Sequence, residues 1–379
     1  MAKVFCINPG STSTKVALFE DGEKVFGANV SHSADELAAY PTLADQLPYR
    51  EAAIQAQLDE AGVTLDGCDA FVGRGGGLLS MEGGVYEADE LVLDHSINAA
   101  NGVVHPACLG PSLASRCATR FGGRALVVNP PDVDEYADVA RVTGVEGVYR
   151  TSHVHALNHK EVARRHAESL GKRYDECNLI VCHLGGGLSI AAHQRGRMVD
   201  GNDNVGGEGP MAPTRCGSVP VEALATLVAS DAADARSLAQ LCTKSGGFVS
   251  LLGTSDAREV VARADAGDEK AKLVWDAMVY QIAKYVGSMA CVLHGDVDGI
   301  LLSGGMVFEP RLVEAITEAC GWIAPVTAYP GEFEMEAMAA GAEQVLSGEV
   351  EAKRYTGRPA WDGFHFGEKD TDDEATQVA

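Results

Sequence analysis

Three short loops carry the residue types that bind phosphate groups. Each follows an apolar run typical of a strand, and the loops span residues 8–15, 183–189 and 303–305. Glycines let backbone N–H groups approach an anion closely, and serine, threonine and lysine side chains add donors. The first loop lacks the second glycine of a Walker A motif, so that motif is excluded. Any one loop could be an ordinary turn, but three at strand ends favour a shared phosphate-bearing ligand.

The elements around these loops repeat along the chain. Residues 4–26 show a strand, a polar Gly-Ser-Thr turn, a strand, a tight turn and a third strand, and residues 179–199 show the same order. Each unit opens one half of the chain. This pattern favours a duplicated domain over two unrelated β-meanders.

Helical and strand-like stretches alternate after each unit, which is typical of an α/β protein. Helical patterns span residues 48–61, 110–121, 159–170, 271–293 and 334–346, and a buried strand spans residues 124–129. The long pattern at 271–293 is best explained by core packing. Beyond residue 355 the chain turns polar and acidic, so we expect a flexible or peripheral tail there and assign it no function.

Composition excludes several classes of protein. The net charge is −24, from 54 acidic and 30 basic residues, which disfavours binding to nucleic acids or anionic membrane surfaces. The 43 glycines cluster instead of recurring at every third residue, so collagen is excluded. No run reaches the length of a membrane helix, and no signal peptide is recognisable. The ten scattered cysteines, without a C-x-x-C pair, favour a reducing compartment and a cytoplasmic location.

Many dissimilar motifs together carry a resemblance to a known family. They are INPGSTSTKVALFEDG, VGRGGGL, HALNHKEVARR, NLIVCHLGGGLSIAAHQRG, GEGPMAPTRCG, LGTSDAREV, DAMVYQIAK, ILLSGG and WIAPVTAYPGE. Their order and spacing resemble those of the butyrate kinases, in the acetate kinase group of the superfamily of sugar kinases, actin and heat-shock chaperone ATPases. The resemblance covers almost all of residues 3–355.

The resemblance implies an α/β fold of two duplicated ribonuclease-H-like domains, as in actin-like ATPases, with a nucleotide cleft between them. We expect an N-terminal domain over residues 1–150, completed by the helix near 334–350, a second domain over 151–333, and an acidic tail over 356–379. The implied reaction converts ATP and butyrate, or a related short acid, reversibly to ADP and an acyl phosphate. It implies direct in-line transfer with Mg²⁺, and assembly as a homo-oligomer.

Transfer of a phosphoryl group to a carboxylate brings two anions together, so cationic side chains are required. Arg74 and Arg215 resemble the two active-site arginines of the group, one from each domain. His155 is similar to the histidine that hydrogen-bonds the transferring phosphoryl group, whereas His153 would face away and is interpreted as structural. His105 matches a histidine near the acyl-phosphate site, with an ordinary loop histidine as the alternative.

The resemblance also assigns the phosphate and nucleoside contacts. Asn8, Ser11 and Ser13 match the first phosphate motif together with Lys15, which could instead project away from the cleft. The second phosphate loop and the nucleoside pocket are matched by Gly185, Gly186, Gly187, Asp256, Arg258, Gly304 and Gly305. Glu332 is placed near the magnesium-associated glutamate, although Glu334 fits the motif equally well.

One departure concerns the end of the strand at residues 124–129. Asn129 stands where the family usually has an aspartate associated with magnesium, so the shape is kept and the negative charge is lost. Asp132 and Asp134 follow closely and could compensate. In a smaller departure, Val154 replaces the usual aromatic residue before the histidine. Neither change affects the arginine pair or the phosphate loops.

Several activities remain to be compared. The leading hypothesis is a butyrate kinase, and propionate, acetate and branched-chain acids are alternative substrates because one methylene discriminates weakly. A non-catalytic ATP-driven clamp is a second hypothesis, but the chain has no room for a peptide-binding domain. A Rossmann dehydrogenase is disfavoured because no G-x-G-x-x-G motif fits.

Overall fold

The computed structural model of the protein describes residues 2–365. The strands are β1 (Lys3–Pro9), β2 (Ser13–Glu20), β3 (Glu23–Ser31), β4 (Ala70–Gly73), β5 (Val85–Glu87), β6 (Arg124–Val128), β7 (Asn178–Leu184), β8 (Leu188–Gln194), β9 (Arg197–Gly201), β10 (Gly299–Gly304) and β11 (Val326–Pro330). The α-helices are α1 (Ala34–Ala38), α2 (Leu47–Ala61), α3 (Glu90–Ile97), α4 (Gly110–Phe121), α5 (Asp138–Arg141), α6 (Ala156–Ser169), α7 (Val221–Ala229), α8 (Ala235–Gln240), α9 (Gly247–Leu252), α10 (Ala257–Asp265), α11 (Glu269–Val292), α12 (Pro310–Cys320) and α13 (Glu334–Leu346).

The strands form two sheets with related topology. The first has the order β3-β2-β1-β4-β6-β5 and the second has the order β11-β10-β7-β8-β9. In the first sheet, β1, β2 and β3 form an antiparallel meander, and β4 lies parallel to β1. In the second sheet, β7, β8 and β9 repeat the meander, and β10 lies parallel to β7. The predicted α/β fold with a duplicated domain is therefore confirmed.

Helix α6 differs from its predicted form. The charge pattern predicts an amphipathic helix over residues 159–170, but the helix begins at Ala156, and every residue from Ala156 to Ala163 is buried. One side of α6 packs on the second sheet, where Val162 and Ala163 share a core with Val181. Its first turn contacts the core of the first sheet through Leu157. The helix is buried on all sides there because it lies between the two sheets.

The C-terminal helix α13 returns to the first sheet. Met338 and Ala342 are buried in one core with Val4 and Val72 from that sheet. A Cβ on Gly341 would lie 2.6 Å from the Val128 side chain, so the helix approaches the sheet too closely for a larger residue. The chain therefore forms the first sheet, then the second sheet, and finally packs α13 on the first sheet.

The long helix α11 packs against the second sheet, as its apolar pattern predicts. Val274, Met278, Ile282 and Val286 are buried in the largest core of the described residues. Leu273, which fits the same pattern, is 68% exposed and lies outside this core.

The first part of the predicted acidic tail, residues 356–365, lies at the surface and contacts the rest of the chain. The Ala360 N–H donates to the carbonyl of Ser80 at 2.7 Å, and the Trp361 ring packs edge-on against Tyr149. Residues 366–379 of the tail lie outside the described residues. Within residues 2–365, no helix combines the length and apolar character needed to cross a membrane.

Candidate active site

The carboxyl ends of the parallel strands point into one cleft between the sheets. In the first sheet, β1, β4 and β6 are parallel, so the segments that follow them meet at one edge. In the second sheet, β7, β10 and β11 are parallel and end in the same way. The glycine-rich and hydroxyl-rich loops of the sequence follow β1, β7 and β10. The loops after β7 and β10 lie beside each other, because Gly304 packs against the Leu184 backbone.

The cleft contains a cavity of about 670 Å³. It is lined by Asn8, Pro9, Gly10, Ser13, Lys15, Arg74, Gly76, Gly77, Leu78, Ser80, Asn101, Val103, His105, Ala107, Pro131, Asp132, Asp134, Thr151, Ser152, His153, Val154, His155, Asn204, Val205, Arg215, Glu334 and Trp361. Residues from both halves of the chain line this cavity.

The first predicted phosphate loop is the hairpin between β1 and β2. Asn8, Ser13 and Lys15 line the cavity, and the exposed Lys15 also lines a second surface pocket beside β2 and β3. Ser11 is exposed and does not line the cavity. The hairpin is tight because the Gly10 N–H donates to the Ser13 carbonyl at 2.7 Å.

A buried arginine holds this hairpin through hydrogen bonds. Arg50 is 0% exposed, and its Nη1 donates to the Gly10 carbonyl and to the Thr14 hydroxyl, each at 3.0 Å. Its Nη2 atom has no hydrogen-bond partner, and no carboxylate of residues 2–365 forms an ion pair with it. Arg50 was not predicted from the sequence, although its four-residue spacing from Ile54 on the buried face of α2 was an available signal.

Arg74 follows β4 and meets Glu334 at the start of α13. Arg74 Nη2 lies 3.5 Å from Glu334 Oε1, and Asn8 Nδ2 donates to Glu334 Oε2 at 2.7 Å. Burial alone would raise the pKa of Glu334, but Arg74 and the Asn8 amide outweigh it and lower that pKa. The Nη1 atom of Arg74 is buried without a partner among the described residues. This nitrogen is free to receive an anion.

Arg215 approaches the cavity from the second half of the chain. Its Nη1 donates to Asn204 Oδ1, whereas its Nε is buried without a partner among residues 2–365. The guanidinium lies directly against Gly187, where an added Cβ would overlap it. The second phosphate loop is tied to the same segment because the Thr214 hydroxyl donates to the Gly186 carbonyl at 3.1 Å.

The third loop lies beside the second. Gly304 ends β10 with φ of +95°, and a Cβ there would lie 2.4 Å from the carbonyl oxygen of Leu184, just before Gly185. Only glycine fits this backbone shape and this close contact. Gly186 and Gly305 have open space where a Cβ would be. The structure thus brings the glycines of β7 and β10 together.

His155 immediately precedes α6 and lines the cavity. Its ring stacks on His183 with the ring centroids 4.0 Å apart, and its Nδ1 lies 2.7 Å from the Ser189 hydroxyl. Burial, followed by the nearby His183 and His159, lowers the pKa of His155 well below its usual value. His155 is therefore a neutral side chain at the cleft.

His153 also lines the cavity, which corrects the expectation that it faces away. Residues two apart in an extended segment lie on the same side of the chain, so His153 and His155 face the same cavity. The His153 Nδ1 lies 3.1 Å from Asp203 Oδ1, and this hydrogen bond raises the pKa of His153.

His105 also lines the cavity. Its Nδ1 accepts a hydrogen bond from the Ala107 N–H at 3.1 Å, so the ring proton resides on Nε2. Burial and the nearby Arg74 lower the pKa of His105, which keeps the ring neutral. His105 therefore offers one N–H donor.

Asp132, and not Asn129, brings an acidic group to the cavity after β6. Asn129 Oδ1 accepts from the Gly84 N–H at 2.8 Å, and Asn129 is not among the lining residues. Asp132 Oδ1 accepts from Asn101 Nδ2 at 2.7 Å, while its Oδ2 is buried without a partner in the described part of the chain. Burial raises the pKa of Asp132 to about 7.

Asp132 and Glu334 both line the cavity, and carboxylate oxygens suit Mg²⁺. Glu332 is exposed and outside the cavity, so of the two alternatives the structure places Glu334 in the cleft. Asp134 is held by Arg141 through hydrogen bonds of 2.7 and 2.8 Å. No group of three or more His, Cys, Asp or Glu side chains in residues 2–365 is arranged to hold a metal.

The predicted nucleoside residues lie on the surface. Asp256 caps α10 by accepting from the Arg258 N–H at 2.9 Å, and the two side chains also form an ion pair. The Arg258 side chain is 91% exposed. Neither residue lines the cavity, and their contact with a nucleoside stays a prediction.

Trp361 closes one side of the cavity and was missed by the sequence analysis. The Arg141 guanidinium lies 4.8 Å from the centre of its ring, and the Trp361 Nε1 is buried without a partner among residues 2–365. The only available signal was an aromatic cluster in an otherwise polar tail.

Comparison with known proteins identifies the family. Residues 130–317 match the Acetokinase family. Over 354 residues the chain is 43% identical to a protein of Coprothermobacter proteolyticus described as a probable butyrate kinase, an alignment covering 93% of this chain and 99% of that protein.

Solved structures show the same fold. A crystal structure of Porphyromonas gingivalis acetate kinase matches with a TM-score of 0.72 at 22% identity, covering 91% of this chain and 100% of that one. A propionate kinase from Francisella tularensis matches with a TM-score of 0.69 at 17% identity, covering 90% of this chain and 99% of that one. With the sequence identity extending over nearly the full length of both proteins, the chain belongs to the acetokinase family.

Proposed function

We propose that the protein transfers the γ-phosphoryl group of ATP to the carboxylate of butyrate or a related short-chain acid. Membership of the acetokinase family supports a carboxylate kinase. A carboxylate oxygen forms a bond to the γ-phosphorus while the bond from that phosphorus to the β–γ bridging oxygen breaks. The electron pair of the broken bond leaves with ADP, and the reverse reaction makes ATP from the acyl phosphate.

The observation that carries this proposal is the pair of arginines. Arg74 and Arg215 reach one cavity from opposite halves of the chain, and each has a buried nitrogen without a partner among residues 2–365. Two such guanidinium groups can neutralise two anions that must approach each other. In a chain of net charge −24, this local arrangement is what makes the approach favourable.

Two neutral histidines add hydrogen-bond donors without adding charge. His155 and His105 line the same cavity, and burial keeps both pKa values below their usual range. A short carboxylic acid is already ionised at neutral pH, so the reaction needs no general base. Both rings are suited to hold phosphoryl or carboxylate oxygens in line for transfer.

Mg²⁺ would be held at this site by Asp132 and Glu334 together with the nucleotide phosphates. When bound, the ion withdraws charge from the phosphate oxygens. The unpartnered Oδ2 of Asp132 supports this assignment because a buried carboxylate oxygen without a donor is costly. Mg²⁺ commonly takes only one or two carboxylates from the protein.

Different parts of the site suit different chemical groups. The cavity is lined by the apolar side chains of Val103, Ala107, Val154 and Trp361 as well as by His105, and these suit a short alkyl chain. The glycine loops after β7 and β10 do not line this cavity, but Gly187 lies against Arg215, and we infer that their backbone N–H groups bind the nucleotide phosphates. The homo-oligomeric state and the cytoplasmic location also stay proposals from the family resemblance and the composition.

Acyl phosphate production in the presence of hydroxylamine tests the activity directly. With ATP, Mg²⁺ and butyrate, we expect hydroxamate, and Arg74→Ala or Arg215→Ala should lower kcat by about 10³- to 10⁵-fold. Arg116→Ala, an exposed arginine paired with Glu51, is the matched control. Near wild-type rates in both cavity variants would refute the proposal. ATP hydrolysis insensitive to every short acid would favour the ATP-driven clamp instead.

A further inference from the structure

Arg50 joins helix α2 to the hairpin between β1 and β2. Its Nη1 donates to the Gly10 carbonyl and to the Thr14 hydroxyl, each at 3.0 Å, and lies 3.4 Å from the Ser13 carbonyl. Its Nε donates to Gln46 Oε1 at 3.1 Å, at the start of the same helix. One guanidinium group therefore fixes several positions of the hairpin relative to α2.

These hydrogen bonds orient the peptide groups at the tip of the hairpin. In a trans peptide the carbonyl and the following N–H point in opposite directions, and all peptide bonds of the described residues are trans. Because the Gly10 carbonyl points at Arg50, the Ser11 N–H points away from it. The N–H groups of Ser11 and Thr12 have no hydrogen-bond partner within residues 2–365. The hairpin therefore presents two free backbone donors, and such donors suit phosphate oxygens.

The charge of Arg50 has no counter-ion in the described part of the chain. Arg50 is 0% exposed, and no carboxylate of residues 2–365 forms an ion pair with it. Burial lowers the pKa of His32, whose Nε2 lies 2.8 Å from the Thr14 hydroxyl, so this ring is neutral. Burial also raises the pKa of the Tyr49 phenol, which stays uncharged. A buried guanidinium without an opposite charge is costly.

The electric field of Arg50 reaches the cavity. His105 lines the cavity, and its pKa is lowered first by burial and then by the charges of Arg74 and Arg50. Gly10 and Ser13, whose carbonyls lie next to Arg50, line the same cavity. At an effective dielectric constant of about 20, a unit charge about 10 Å away changes the affinity for an anion about tenfold.

We propose that Arg50 is a positioning residue that orients the donors of the hairpin and whose unpaired charge strengthens binding of the γ-phosphate of ATP there. Arg50 does not line the cavity, so it acts through the hairpin and through its field and not by contact. The bound phosphate in turn supplies the negative charge that the fold leaves out beside Arg50. This role rests on the proposed function, because it takes ATP as the ligand.

Urea unfolding with and without a ligand tests this role without measuring catalysis. A ligand that binds only the folded protein raises the free energy of unfolding by an amount set by its concentration and its Kd. The probe is the Mg²⁺ complex of the β,γ-imido analogue of ATP. Arg50→Met removes the charge and the hydrogen bonds, and it should raise the Kd of this analogue about tenfold. Arg50→Lys keeps a cation but loses the planar fork, so the Kd should rise only about threefold.

Ile54→Ala is the matched control for a purely structural effect. Ile54 is 5% exposed and lies one turn from Arg50 on the buried face of α2. Its truncation should lower the free energy of unfolding of the ligand-free protein and leave the Kd of the analogue unchanged. If Arg50→Met does not fold, the comparison of Arg50→Lys with Ile54→Ala carries the same test.

Three results would overturn the proposal. They are a Kd in Arg50→Met within twofold of the wild-type value, the same rise in Kd in Ile54→Ala, or a Kd in Arg50→Lys no lower than in Arg50→Met. The expected changes in Kd in a protein that makes no acyl hydroxamate would support the role of Arg50 and contradict the proposed function.

Discussion

The buried His183 makes the stability of this protein depend on pH. Its ring stacks on His155, its Nδ1 lies 3.0 Å from Asn158 Oδ1, and burial lowers its pKa from 6.5 to about 4. In the unfolded chain the ring takes up a proton near pH 6.5, while in the folded protein it stays neutral. Between these pKa values the unfolded state binds more protons, so the stability from His183 is lost as the pH falls.

The size of this effect follows from the two pKa values. From pH 7.5 to pH 5.0, a histidine whose pKa falls from 6.5 to about 4 on folding loses about 2 kcal/mol of stabilisation. Asp132 has the opposite effect: its pKa is raised to about 7 in the folded protein, so its contribution to stability increases as the pH falls. A comparison with His183→Gln isolates one group, since Asp132 is present in both proteins.

The assay is urea unfolding of the wild type and His183→Gln at pH 7.5 and 5.0 and constant ionic strength. The difference between their free energies of unfolding should be about 2 kcal/mol smaller at pH 5.0. His294→Gln, which replaces an exposed histidine, is the matched control. If the difference in free energy of unfolding between the wild type and His183→Gln changed by less than about 0.5 kcal/mol from pH 7.5 to pH 5.0, the burial of a neutral His183 ring would be refuted.

Three further variants test the cleft. Gly187→Ala should lower kcat/KM for ATP about 100-fold, because the new Cβ displaces the Arg215 guanidinium. Hydroxamate assays over a range of ATP concentrations measure this value. A kcat/KM equal to that of the wild type would contradict the prediction. Glu334→Gln should raise the Mg²⁺ concentration for half-maximal activity about tenfold, and an unchanged Mg²⁺ titration would count against its role. Trp361→Ala should raise kcat/KM for hexanoate relative to butyrate about tenfold, as measured over a series of acids; an unchanged ratio would exclude Trp361 from the acyl wall.

Local patterns were enough to predict the elements that carry the site. The bounds of α4 and α13 agree with the predicted helices, because glycine or proline marks the start of α4 and a regular apolar spacing runs through α13. The loops after β1, β7 and β10 were also predicted, since glycines and hydroxyl residues end each apolar run. These signals lie within a few residues of the structure they determine.

Contacts between distant segments could not be predicted in this way. Glu334 and Glu332 fit the sequence motif equally well, and only the packing of α13 on the first sheet determines which one contacts Arg74. Asn129 has a positive φ of 38° and binds the Gly84 backbone, so the acidic role moves to Asp132. Trp361 reaches the cavity through a segment that composition alone describes as a tail.

The chain passes between the two sheets twice, and this sets how the cleft can open. One connection lies between β6 and β7 and includes His155, and the other lies between β11 and α13 and ends at Glu334. Two rigid bodies joined at two points rotate most easily about the line through those points. His155 and Glu334 would therefore lie close to the hinge axis and move least when the two sheets move relative to each other.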